Sequence, residues 1–178
     1  MGQFVGCIKG MSEACRALEF PVVSGNVSLY NETKGRAILP TPTIGAVGLL
    51  KDLSKAVGIG FVRDSETIIL VGNSKGAIGC SLYLKELEGR EEGFPPKVDL
   101  NAERIHGDFV RKLICDGLVS ACHDISEGGL MVAISEMALA GDRGCKIISS
   151  PGSLSPHAWA FGEDQGRYLL TTRSPSEI

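Results

Sequence analysis

Several large classes of protein are excluded by what this chain lacks. Its 178 residues hold no apolar run near the roughly 20 residues that cross a bilayer; the longest, Thr67 to Val71 and Ile44 to Leu50, are far shorter. The N-terminus has no basic region followed by a signal-type apolar stretch, so a soluble, cytosolic protein with no membrane partner is expected. Lys and Arg total 18 against 21 Asp and Glu, a net charge of -3 with the signs mixed along the chain. There is no basic stripe, and nucleic acid is set aside as a partner. Cys7, Cys15, Cys80, Cys115, Cys122 and Cys145 are scattered, and none forms a C-x-x-C pair. They read as small, mostly buried apolar residues rather than a disulfide framework or a metal cluster. No low-complexity tract or short internal repeat is present.

What is there is a globular chain, long enough to bury about 70% of the surface that its unfolded form exposes. Phe4, Cys7, Ile8, Met11, Ala14, Cys15 and Leu18 follow three-and-four spacing, which predicts a helix over Gln3 to Leu18 with one apolar face. Strands are expected over Pro21 to Leu29 and Thr43 to Leu50, joined by a polar 31–36 loop and a Pro40-Thr41-Pro42 bend. After a 52–60 connector come a strand at Thr67 to Val71, a helix at Ile78 to Leu87 and a charged 90–98 loop. A helix over Leu100 to Leu113 follows, capped by Asp99 or Asn101 and stopped at Gly117. The remainder reads as a strand at Val119 to His123, a helix at Leu130 to Leu139, and strands at Cys145 to Ile148 and Arg167 to Thr172.

This order predicts an α/β (α+β) architecture, a layered mixed sheet flanked by helices, divided near Val62 into residues 1–62 and 63–178. The first helix lacks a capping residue and has an apolar face that two strands can barely cover, so a fragment of a longer protein that self-associates is expected. At the other end Ser174-Pro175-Ser176-Glu177 has the pattern of a helix start that the chain does not continue.

Chemistry is expected first where a short apolar strand enters Ser24-Gly25-Asn26-Val27-Ser28. Gly25 lets backbone N–H groups approach an anion, and Asn26, Ser28 and Asn31 offer oxygen ligands or hydrogen-bond partners. A Gly-Asn turn between strands is the bland alternative. A second candidate is His123-Asp124-Ile125-Ser126-Glu127-Gly128-Gly129, where a strand passes into a helix. Ser126, Gly128 and Gly129 there either receive a phosphate at the helix start or serve as cap and close-packing residues. A third string, Gly162-Glu163-Asp164-Gln165-Gly166-Arg167, reads as mostly structural. His106 and His157 have no partner at metal-ligand spacing and are expected on the surface.

Val22 to Glu32, Pro40-Thr41-Pro42-Thr43-Ile44-Gly45, Ala121 to Leu130 and Phe161 to Tyr168, in this order, closely resemble the second half of the phosphoribosylformylglycinamidine synthase family. The wider superfamily includes aminoimidazole ribonucleotide (AIR) synthetase. The resemblance implies the tail of an AIR synthetase N-terminal-like domain, then a C-terminal-like domain with partial ferredoxin-like topology, truncated at its C-terminus. It implies an ATP- and Mg²⁺-dependent ligase that converts formylglycinamide ribonucleotide and ammonia to the amidine in purine biosynthesis. The alternatives are another ATP-using superfamily member and a non-catalytic scaffold with a structural nucleotide. By motif matching Gly25 contacts ATP, Asn26 binds Mg²⁺ and Ser28 contacts the ribonucleotide; some members of the resembled family carry an auxiliary nucleotide site, which keeps open a phosphate at Ser126, Gly128 and Gly129. The implied partners are the N-terminal half of the same protein and a glutaminase that supplies ammonia. The catalytic histidine and acidic metal ligands are implied to lie in that other half, so no catalytic residue is assigned here and the isolated chain is expected to be inactive.

Overall fold

Three antiparallel strands, covered on both faces, organise most of the chain in the computed structural model, which describes residues 1–28, 31–148 and 151–178. The chain divides into two units, 1–49 and 50–178.

In the first unit α1 (Gly2–Ala17) forms where the apolar spacing predicts it, with Phe4, Cys7, Met11, Ala14 and Cys15 half-buried and no residue fully buried. No side chain caps its N-terminus. Two short strands, β1 (Glu32–Thr33) and β2 (Arg36–Ala37), make a hairpin through Lys34 and Gly35. Both turn residues have positive φ, +51° and +75°, as a two-residue turn matched to strand twist requires. The strands expected over 21–29 and 43–50 are not formed among the described residues; 21–28 and 43–50 are exposed and belong to no helix or strand, and Leu29 lies outside the described residues. Val23 and Val47, 93% and 94% exposed, carry strand propensity but pair with no strand among the described residues.

The second unit holds β3 (Thr67–Val71), β4 (Ala121–Asp124) and β5 (Tyr168–Thr172) in the order β3-β5-β4. Both ladders are antiparallel, with Thr67 opposite Thr172 and Ala121 opposite Thr171; an isolated parallel bridge joins Gly58 to Ala121. Because side chains alternate along a strand, consecutive leucines of β5 serve opposite layers. Leu170 packs with Val71, Val119 and the Val110 and Leu113 side chains of α3 (Leu100–Cys115). Leu169 packs with Phe61, Ala121 and the Leu130, Ala133, Ile134 and Met137 side chains of α4 (Gly129–Gly141). Each buried Val, Leu, Ile, Phe or Met side chain among these stabilises the unit by about 1.5–3 kcal/mol.

Phe61, on the connector before β3, belongs to this core. Phe61 N–H donates to Met137 O at 3.1 Å, and a Cβ on Gly141 would lie 2.3 Å from Phe61 O, so α4 and the connector meet backbone to backbone.

Helix boundaries follow local chemistry. Asp99 accepts from the N–H groups of Asn101 and Ala102, starting α3 as expected, and Gly117 turns the chain after it at φ +77°. α2 (Leu82–Glu88) begins four residues later than its apolar pattern predicts. Cys80 has φ +57° and Gly79 lies against the Phe94 backbone, so the turn starts only where Ser81 accepts from Leu84 N–H. The strand expected at 145–148 is absent; those residues are exposed and lie beside no sheet edge. A short helix not expected from the sequence, α5 (Pro156–Phe161), begins with proline in its first turn and stacks His157 and Phe161 on Tyr83.

Candidate functional site

The junction of β4 and α4 brings His123, Asp124, Ser126, Glu127 and Glu136 around one cleft. β4 ends on His123 and Asp124, and the turn 125–128 doubles back into α4, whose second turn presents Glu136 across a cleft of about 420 Å³. Ser126 and Glu127 complete its polar lining. His123 Nε2 lies 2.9 Å from Glu136 Oε2. His123 Nδ1 is 3.3 Å from Asp124 Oδ1, in a direction that makes no hydrogen bond.

Ser126 Oγ donates to Asp124 Oδ2 at 2.6 Å. This bond is the first cause that holds the Asp124 carboxyl below the ordinary carboxylate range, with His123 adding to it. A lowered folded pKa contributes stability that is present above the unfolded value of about 3.9 and is lost as pH falls through the folded value. Ser126→Ala removes the largest cause, so the Asp124 carboxyl should titrate closer to that ordinary value. An NMR pH titration of the Asp124 carboxyl carbon checks this; an unchanged midpoint would rule out Ser126 as the cause. The neighbouring Cys122 thiol is pushed up to about 11, by burial first and then by Asp124, and is a poor nucleophile at neutral pH.

Two of the donors at the helix start, Gly128 and Gly129, are already in use. Gly129 N–H donates to Ser126 O at 3.2 Å, and Gly128 N–H donates to Glu163 Oε1 at 2.8 Å. Neither Asp124 nor Ser126 caps α4. Its N-cap is Gly128 at φ +78°, with no cap from its own side chain, and the carboxylate that meets it comes from a residue 35 positions away. The signal for that role, a Glu-Asp pair between two glycines followed by arginine, stands in the Gly162 to Arg167 string read as structural. His106, expected on the surface, is half-buried with Nδ1 2.8 Å from Gly166 O.

Gly25, Asn26 and Ser28 lie in the exposed 21–28 segment of the first unit, outside any helix or strand. A Cβ on Gly25 would meet nothing within 4 Å, so its backbone is open to a ligand. Ser28 O accepts from Asn31 Nδ2 at 3.2 Å. Among the described residues no three His, Cys, Asp or Glu side chains converge as metal ligands. The cleft at β4 and the 25–28 segment thus offer different chemistry: a carboxylate-rich surface that disfavours a bare anion, and open backbone beside hard oxygen donors. No helix among the described residues is long and apolar enough to cross a membrane.

Comparison with known proteins is consistent with both units. The AIR synthase related protein, C-terminal domain, matches residues 63–177, and the corresponding N-terminal domain matches residues 1–50. The phosphoribosylformylglycinamidine synthase subunit PurL of Bradyrhizobium sp. (strain BTAi1) is 60% identical over 171 residues, covering 96% of this chain and 23% of that protein. PurL of Rhodopseudomonas palustris (strain BisB5) is 58% identical over 173 residues, covering 97% and 24%. The chain therefore spans about a quarter of the length of these relatives. Among solved structures, T. maritima PurL complexed with FGAR matches with a TM-score of 0.54 at 20% identity, covering 70% of this chain and 22% of that one. Phosphoribosylformylglycinamidine synthase II of T. maritima matches at 0.51 and 21%, covering 70% and 21%. At such identity these two speak to the fold.

Proposed function

Because the chain belongs to the AIR synthase related family, we propose that it is part of a phosphoribosylformylglycinamidine synthase synthetase subunit, a cytosolic ligase of purine biosynthesis. The observation that carries this reading is 60% identity to a PurL subunit across 96% of the chain. In the proposed reaction the γ-phosphoryl group of ATP passes to the amide oxygen of formylglycinamide ribonucleotide. Ammonia then bonds to that carbon and phosphate leaves with the oxygen, giving amidine, ADP and phosphate. A glutaminase domain or subunit supplies the ammonia. T. maritima PurL has been crystallised with FGAR and with ATP, which agrees in ligand chemistry.

Within this reading Gly25 presents backbone N–H to ATP, Asn26 gives an amide oxygen to Mg²⁺, and the Ser28 hydroxyl holds the ribonucleotide. Mg²⁺ would offset charge on the phosphoryl group in flight. Hard oxygen donors of this kind suit the ion, and the open backbone at Gly25 suits a close phosphate. One amide oxygen fills one of six positions, so carboxylates from the rest of the subunit complete the set, and the chain alone is inactive. The functional domain boundary is placed near Val62, with the 50–62 connector packed on the C-terminal domain.

The test is FGAR-dependent phosphate release with ATP, Mg²⁺ and ammonia, in the intact parent protein and its Asn26→Ala variant. The variant should fold and lose about 100-fold or more in turnover, as expected when a group that places the phosphoryl transfer is removed. Equal turnover would make Asn26 structural; no turnover by the parent would overturn the assignment.

A further inference from the structure

We propose that Glu163 and Asp164 act together as one latch that holds three otherwise separate segments in a single conformation: the 73–81 loop, the start of α2 and the β4–α4 turn. Each residue places one carboxylate oxygen between two backbone donors. Glu163 Oε1 accepts from Leu82 N–H at 2.7 Å and Gly128 N–H at 2.8 Å. Asp164 Oδ2 accepts from Lys75 N–H at 2.9 Å and Gly76 N–H at 2.8 Å. The pair is thus an internal anion for four N–H groups, and at Asp164 the two donors are successive, an arrangement that favours negative charge. Its own backbone is fixed as well: Glu163 N–H donates to Ala77 O at 2.8 Å, and the buried Arg167 donates to Gly162 O, Asp164 O and Ser74 Oγ.

Packing makes the three contacts interdependent. A Cβ on Gly162 would lie 2.9 Å from Gly76 Cα, and one on Gly129 would lie 2.6 Å from Phe161 C, so these backbones are in direct contact. Releasing Glu163 from Gly128 displaces the peptide that also positions Asp164. The loop after β3 and the wall of the Asp124 cleft therefore open together, and an external anion finds these donors occupied. The inference rests on this geometry and is independent of the reaction proposed above.

Amide hydrogen exchange by NMR on the full chain tests it. In the unmodified chain Lys75, Gly76, Leu82 and Gly128 should share one opening free energy. Glu163→Gln exchanges a charged acceptor for a neutral one and should speed exchange about tenfold or more at all four amides, including the two that Asp164 binds. In Glu163→Ala, acetate should slow Leu82 and Gly128 again, where chloride at equal ionic strength does not. Acceleration in Glu163→Gln confined to Leu82 and Gly128, or unequal opening energies in the unmodified chain, overturns the latch. Failure of acetate in a folded Glu163→Ala overturns it too; should that variant not fold, the other two measurements decide.

Discussion

Gly129→Ala should destabilise the 50–178 unit by about 2–5 kcal/mol, read as a fall in the urea midpoint at unchanged slope. Two costs add. Gly129 has φ +71°, a region in which a Cβ costs about 1–2 kcal/mol. The added carbon would also stand 2.6 Å from Phe161 C and 2.7 Å from Gly162 O, both backbone atoms that cannot rotate aside. Relief requires moving α4 away from the end of α5, which uncovers Leu130 and the packing of Trp159 on the same core. Overpacking of this kind costs a further 1–3 kcal/mol, roughly. Gly144→Ala is the control: its Cβ meets nothing within 4 Å and its φ is not positive, so a change within about 0.5 kcal/mol is expected. If both variants unfold at the same urea concentration, the contact of α4 with the 161–162 backbone is not tight in solution.

Arg167→Ala should cost about 3–5 kcal/mol, and Arg167→Lys should recover little of it. The residue is 2% exposed, and its guanidinium spans three acceptors: Nε to Asp164 O at 3.0 Å, one Nη to Ser74 Oγ at 3.0 Å and the other to Gly162 O at 2.5 Å. Burial pulls its pKa down while the nearby Asp164 charge opposes that. Removing the side chain strands the buried carbonyls of Gly162 and Asp164 and takes a nearby positive charge away from the Asp164 carboxylate, so buried groups lose their partners. A lysine carries charge but lacks the planar fork that reaches three directions at once. Thermal or urea unfolding of both variants decides it; a lysine variant as stable as the parent would show that charge alone is what matters at this position.

Much of the second unit was legible because its elements are specified by near neighbours. Asp99 caps α3 through N–H groups two and three residues on, and Gly117 stops it nearby, so the spacing along the chain carries the information. β5 was legible from a short apolar run because it is the central strand, buried from both sides as the pattern demands. In α3, by contrast, Ile105, Phe109 and Leu113 recur every four residues, the spacing of one helix face. Only Leu113 of these is buried, and the true stripe runs through Val110, Leu113 and Ile114. Apolar residues on both sides of a helix leave its rotation to the sheet that receives it.

The family words around Gly25 to Glu32 and His123 to Leu130 were readable as strings, because a motif preserves residue identity. Their local structure was not readable in the same way. The 21–28 segment has strand composition without a ladder, since a strand's hydrogen bonds belong to its neighbour as much as to itself.

By itself the sequence determined the family, the exclusion of a helical membrane span and of a basic nucleic-acid face, and those elements whose caps, stops and apolar spacing lie within a few residues. Only the tertiary structure decided what meets the start of α4. Gly128 carries no side chain to supply a cap, and the carboxylate that serves it is separated by 35 positions and delivered by the return of the chain into β5. Local propensity can specify a helix, but an acceptor brought from that distance exists only once the sheet has closed.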